Sequence, residues 1–298
     1  MNNICLVRQT NDLKLLQDTD MSNDGIYYNI NDTDKTLTVM IVGPRDTPYE
    51  GGFYFFNIIL GERYPFKPPK VNFLTNDGRS RMNPNLYTNG KVCLSILGTW
   101  SGPSWTSCMT ITTVLLALVT VLNENPIQNE PGYENDTGYR CKDYNKFILH
   151  ENMRIAVMLN YKKEDEYILP FKDIMKQMII DNKEKYLSYI TKLSSYGSSL
   201  LVNIYSCNHI NEWVKLNEFI NSITGDNHQV VTEGVKNNGD GKKKNIRKPP
   251  GKRAKECEVG FIMTSEFDGK DYIVILTKDG RRRWSRHYDS IVEESIFN

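Results

Sequence analysis

The sequence has no long hydrophobic run. Its most apolar stretch, Ile111 to Leu122, falls short of the roughly 20 residues that a bilayer requires. It also lacks an excess of either charge. Against 37 Lys and Arg stand 36 Asp and Glu, a formal net charge of +1, so the chain as a whole has no strong pull toward nucleic acid or membrane. Histidine is scarce, with 4 in the whole chain. The 6 cysteines (Cys5, Cys93, Cys108, Cys141, Cys207 and Cys257) contain no CxxC pair and no zinc-type spacing. Their plain reading is free thiols in a reducing compartment. The N-terminal stretch has an acidic residue at Asp12 and no apolar segment of signal length. The expectation is a soluble protein of the cytoplasm.

What is present is enough chain for one large domain or two smaller ones. Residues 3–18 have helical periodicity, with Leu6, Leu13 and Leu16 on one face and Arg8, Asp12 and Lys14 outside. Two strands follow within 24–42, turning at Asn31 to Asp34. Phe53 to Leu60 is apolar at nearly every position, as befits a central strand covered on both faces. After the proline-stiffened Tyr64 to Pro69, Val71 to Leu74 is a short last strand. Four short strands in succession predict an antiparallel meander.

From Asn76 to Pro103 the chain reads as a long irregular loop, and Val92, Leu94, Ile96, Leu97 and Trp100 argue that it is ordered. A helix is predicted from Thr110, a plausible N-cap, to Leu122, and another near Asp143–Leu159. Residues 168–222 read as all-helical, with Trp213, Leu216 and Ile220 as an apolar stripe. The predicted division is 1–160, a core domain; 161–224, a helical extension; 225–257, a basic flexible linker; and 258–298, a small β-rich tail.

The informative segment runs from Asn83 to Leu97, NPNLYTNGKVCLSIL, with Cys93 eight residues after Asn85. Together with Gly43-Pro44 through Pro48-Tyr49-Glu50-Gly51-Gly52, with Tyr64 to Val71 (YPFKPPKV) and with Trp105, it resembles the ubiquitin-conjugating (E2) enzymes over about residues 5–160. The reading NPN, where most E2s read HPN, the stretch Cys93 to Trp100 and Asn125-Pro126…Asn129-Glu130-Pro131-Gly132 resemble one subclass, the long Z-type E2 and the E2 domain of the giant inhibitor-of-apoptosis protein.

The resemblance implies an α+β UBC fold: an N-terminal helix, a four-stranded meander, the active-site loop and further helices. It also implies an acyltransferase that takes ubiquitin, or a ubiquitin-like modifier, from an E1 as a thioester on Cys93. The modifier then passes to a substrate lysine or an E3, in a pathway driven by ATP at the E1 step, with no metal or organic cofactor. Asn85 corresponds to the motif asparagine, which stabilises the oxyanion, braces the loop, or does both. Asn83, followed by Pro84, is expected to hydrogen-bond within the loop. Glu130 aligns with an acidic position that orients or deprotonates the incoming lysine, against the plain alternative of a solvated loop glutamate. Phe66 and Pro65 match the loop that receives RING-type E3 ligases, the alternative being that Phe66 packs on the sheet edge. Ser107 and Cys108 stand where a Pro-Ala pair is common. Arg8 and Lys14 lie on the helix that meets the E1.

The basic stretch Lys242 to Lys255 reads first as a solvated linker, with phosphate binding or nuclear import as alternatives. The tail from Gly260 to Trp284 resembles a short basic β tail of some giant-DNA-virus proteins, which implies a viral E2. Two rivals accompany the transferase reading. One is a non-catalytic UBC scaffold. The other is a nucleic-acid binder acting through Lys242–Arg253 and Arg281–Arg286, with steep salt dependence.

Overall fold

The computed structural model describes residues 3–31, 33–197, 199–202, 205, 207–225, 262–264, 271–276 and 282–286. The linker expectation for 225–257 lies almost wholly outside them. Met1–Val231 is one compact unit and Thr232–Asn298 a second.

The first unit begins with helix α1, Asn3–Gln17, followed by strands β1 (Ile26–Asn31), β2 (Thr36–Val42), β3 (Phe53–Ile59) and β4 (Lys70–Phe73). The strands form an antiparallel sheet in chain order, so the meander is as expected. Helix α1 departs from its predicted faces. Leu13 and Leu16 are buried, Leu6 is exposed, and Asp12 is buried instead of lying outside. The reason is polar pairing: Asp12 accepts hydrogen bonds from Tyr64 and Arg8, and a paired carboxylate tolerates burial.

Alternation along β3 supplies two cores. Tyr54, Phe56 and Ile58 face helix α2 (Ile111–Thr120) through Val114, Leu115 and Leu118. Phe53 and Phe55, with Met40 of β2, face Ile168, Phe171, Met175, Ile179 and Leu193 of the C-terminal extension. Both faces of the strand are therefore covered by protein, which explains its unbroken apolar sequence. Thr110 caps α2 as expected, in a reciprocal pair with Thr113.

Helix α3 (Tyr139–Glu151) starts earlier than its periodicity predicts and runs into a π-helical segment, Asn152–Leu159, then α4, Asn160–Lys162. Asn152 and Asn160 are buried and serve the backbone: their Nδ2 atoms donate to Glu50 O at 3.0 Å and Phe53 O at 2.8 Å. The extension continues with α5 (Lys172–Asp181), α6 (Lys183–Ser194), the antiparallel hairpin β5 (Ser199–Val202) and β6 (Cys207–Ile210), and α7 (Trp213–Thr224). It is therefore not all-helical. Four-residue strands are too short for a period of two to stand out. On α7, Leu216 and Ile220 are buried while Trp213 stays partly exposed.

Extension and core share a buried ionic knot. Glu151 bonds His150, Ser80 and Arg154, Arg154 also binds Asp77, and His150 Nε2 accepts from the Glu212 amide at 3.0 Å. Against burial, which alone would raise them, His150 and Arg154 hold the Glu151 carboxyl at about 2, and Arg154 with nearby amides holds Asp77 at about 2. A second latch grips the Gly43–Gly52 turn. Lys185 and Tyr189 bind the Glu50 carboxylate, and Tyr186 donates to Gly51 O at 2.7 Å. The turn needs its glycines: a Cβ on Gly52 would sit 1.8 Å from Asn152 Oδ1.

The second unit shows a three-stranded antiparallel sheet, β7 (Ile262–Thr264), β8 (Asp271–Leu276) and β9 (Arg282–Arg286). No helix among the described residues is long and apolar enough to cross a membrane.

Candidate active site

The spacing of Asn85 and Cys93 is the closure of a tight hairpin. Asn89-Gly90 forms its tip, with Gly90 at φ +87°. Tyr87 N–H donates to Lys91 O at 2.9 Å, Leu86 and Val92 form a β-bridge, and Cys93 N–H donates to Asn85 O at 2.8 Å. Eight residues of separation thus bring Asn85 and Cys93 opposite each other. The tip is tied to β4, because Phe73 N–H donates to Gly90 O at 2.8 Å. Beyond the cysteine, Thr99 Oγ1 donates to Val92 O at 2.7 Å and accepts from Leu94 N–H at 3.0 Å, which closes the following turn.

The Asn85 side chain adds a second link to Cys93. Its Nδ2 donates to Cys93 O at 2.8 Å. One amide hydrogen therefore braces the loop, and the other has no partner among the described residues. Cys93 itself is 1% exposed, and no hydrogen bond to its sulfur occurs among the described residues. The described histidines are engaged elsewhere, His150 with Glu151 and Glu212, and His209 near Glu151 at 3.6 Å. Neither supplies a base to the thiol, so a Cys–His protease arrangement gains no support.

Asn83 works harder than a loop residue. Fully buried, it accepts from Asn85 N–H at 2.8 Å and donates to Tyr49 Oη at 2.8 Å and to Val121 O, at the end of α2, at 2.7 Å. An amide does this with two donors and an acceptor on one planar group. Pro84 is buried beside it, and its carbonyl accepts from Arg81 Nη2 at 2.6 Å. Glu130 caps the short 3-10 turn Pro126–Asn129. It is not a freely solvated glutamate: Tyr205 of the extension donates to its Oε2 at 2.8 Å.

The remaining predicted residues lie on helix α1, on the Tyr64–Pro69 loop and just after Trp105. Phe66 is 57% exposed instead of packing on the sheet edge, while Pro65 is buried. Trp105 Nε1 donates to Pro65 O at 2.6 Å, which fixes the loop that presents Phe66. Ser107 and Cys108 are exposed. Arg8 is half-buried and occupied, donating to Ser107 O at 3.1 Å and Met109 O at 3.0 Å as well as to Asp12. Lys14 is exposed. Arg81, Thr99 and Tyr205 are site residues that the sequence reading missed. Arg81 adjoins the NPN motif closely enough to have been found; Tyr205 carries no local signal.

No group of His, Cys, Asp and Glu among the described residues could hold a metal ion. Residues 8–152 match the model of the family described as ubiquitin-conjugating enzyme. Ubiquitin-conjugating enzyme E2 Z of Danio rerio is 48% identical over 123 residues, covering 41% of this chain and 38% of that protein. The Homo sapiens E2 Z is 40% identical over 152 residues, covering 50% of this chain and 43% of that protein. The chain thus spans about two fifths of the length of these relatives. A solved Toxoplasma gondii ubiquitin conjugating enzyme E2 domain is 28% identical, covers 50% of this chain and 98% of that chain, and superposes with a TM-score of 0.39. With the meander and the Asn85–Cys93 hairpin in place, residues 8–152 match the ubiquitin-conjugating enzyme family, and this part of the chain is similar to the Z-type E2.

Proposed function

We propose that the chain is an active E2, a transferase that carries ubiquitin or a ubiquitin-like modifier on Cys93. The observation that carries this reading is the hairpin that sets Cys93 against Asn85 inside the family motif. In the charging step the Cys93 thiolate attacks the carbonyl carbon of the modifier's C-terminal thioester on an E1. A new sulfur–carbon bond forms and the E1 thiolate leaves. Thioesters are good acyl donors, so a modest thiolate fraction suffices without a paired histidine. Because Cys93 is covered, charging requires local opening of its surroundings.

In the transfer step a neutral lysine amine attacks the Cys93 thioester. The free hydrogen of Asn85 Nδ2 is available to the oxyanion, while its partner keeps the brace on Cys93 O. Collapse releases the Cys93 thiolate, and the amine proton passes to Glu130 or to water. Phe66, held out by the Trp105–Pro65 bond, is an exposed aromatic anchor suited to a RING-type E3. The setting proposed is cytoplasmic.

The experiment is a charging assay with E1, ATP and ubiquitin, run on the wild type and on Cys93→Ala. The expected result is a thiol-sensitive adduct on the first and none on the second. An adduct that survives Cys93→Ala, or no adduct with any E1 and modifier tried, overturns the reading. The second outcome favours a non-catalytic scaffold.

A further inference from the structure

Tyr205 lies 75 residues beyond Glu130, in the extension, yet its phenol reaches the Glu130 carboxylate. Its ring is held on two sides. Tyr144 of α3 meets it edge-on with centroids 5.5 Å apart, and the Arg81 guanidinium carbon lies 5.4 Å from its centroid. Arg81 is itself fixed to the cysteine hairpin. Its Nε and Nη2 donate to Asn83 O at 3.0 Å and Pro84 O at 2.6 Å, its carbonyl accepts from Tyr144 Oη at 2.9 Å, and its guanidinium covers the Tyr87 ring at 3.3 Å. One aromatic side chain therefore joins the extension, the approach to the Cys93 hairpin and the turn that carries Glu130. Burial first, and then the Glu130 carboxylate, push the Tyr205 phenol far above its ordinary range, so it remains a donor throughout the working pH range. The Glu130 side chain makes no other hydrogen bond among the described residues, which leaves the lone pairs of Oε1 uncommitted.

We propose that Tyr205 is a positioning residue for lysine transfer: its hydroxyl, fixed between Tyr144 and Arg81, holds Glu130 Oε2 so that Oε1 points at the incoming amine. An unheld glutamate samples several rotamers; anchoring one oxygen fixes where the other points. The extension is then part of the acceptor site as well as a cover for the sheet. This inference rests on the transferase reading above.

The test uses the full chain. Wild type, Tyr205→Phe, Glu130→Gln and the double variant are charged on Cys93 with ubiquitin, and the adduct is chased with free L-lysine over a range of pH. Tyr205→Phe keeps the ring, so charging and the thermal midpoint should match the wild type. Its discharge should be about 10-fold slower at neutral pH. The deficit should narrow as pH approaches the lysine pKa near 10.4, where the amine is already largely neutral and solvent hydroxide competes with Glu130 as acceptor of the proton lost after attack; a distorted loop would instead lose rate equally at every pH. The double variant should discharge like Glu130→Gln alone. Wild-type or faster discharge by Tyr205→Phe, a deficit independent of pH, or additive losses in the double variant would overturn the role of Tyr205 while leaving the transferase reading intact. Absence of any adduct on the wild type would overturn both.

Discussion

Asn83 and Asn129 donate to one acceptor, the carbonyl of Val121, at 2.7 and 3.2 Å. The first residue opens the motif that contains Cys93, and the second immediately precedes Glu130. The C-terminal end of α2 is thus a common anchor for the Cys93 loop and the turn bearing Glu130. The two halves of the candidate site share a fixed reference point although 46 residues separate the two asparagines in the sequence.

Asn83→Ala removes three hydrogen bonds from a site with no solvent to replace them. Tyr49, Val121 and the Asn85 amide each lose a partner. The expected loss is about 2–4 kcal/mol of stability, together with slower transfer, since both halves of the site loosen. Urea unfolding measures the first and single-turnover discharge the second. An unchanged unfolding midpoint would contradict the bracing role.

Asn85→Ala should charge normally and discharge poorly. Loss of one oxyanion donor slows transfer to free lysine by about 10²–10³, and loss of the brace on Cys93 O costs about 1 kcal/mol of stability. If discharge stays at the wild-type rate while stability falls, Asn85 is a brace alone.

Phe55 and Phe66 separate packing from docking. Phe55 is buried beneath the extension and meets Phe171 at 5.6 Å between centroids. Phe55→Ala should cost about 3–5 kcal/mol. Phe66→Ala, at an exposed position, should change stability by no more than about 0.5 kcal/mol yet reduce stimulation of discharge by a RING-type E3. Thermal melts and E3-stimulated assays on the same two variants give the comparison.

Acid should undo the Glu151–Arg154–Asp77 knot. Both carboxyls lie at about 2 in the folded chain, below ordinary values of 4.5 and 3.8. A lowered folded pKa stabilises the fold at any pH above the unfolded value, and that stability is lost as pH falls through the window from about 4.5 to 2. The two groups share one arginine, so their combined contribution is on the order of 3 kcal/mol rather than a sum. Stability followed between pH 7 and 2 should fall most steeply below 4.5. Arg154→Gln should be less stable at neutral pH and should flatten that slope; an equally steep slope would contradict the assignment.

Much of the fold was legible because its signals are local. The apolar run of β3 announced a strand covered on both faces, and Thr110 announced the start of α2. The hairpin β5–β6 was not legible, because two strands of four residues carry too little alternation to stand against helical neighbours. Asp12 was assigned to the outside because a carboxylate is normally solvated; Tyr64 and Arg8, which make its burial tolerable, come from 52 residues away and from its own helix. The π-helical stretch at Asn152–Leu159 departs from the 3.6-residue period on which its prediction rested.

The sequence by itself determined the resemblance to the ubiquitin-conjugating enzymes, the order of the first four strands and the pairing of Asn85 with Cys93, since each rests on neighbouring residues or on a short hairpin whose length sets its register. Tertiary structure alone decided that the extension covers the sheet through Phe53 and Phe55, that Asn83 and Asn129 meet at one carbonyl, and that Tyr205 holds Glu130. Those relationships depend on where distant segments come to lie, and a hydrogen bond between residues 75 apart leaves no periodicity in the chain to reveal it.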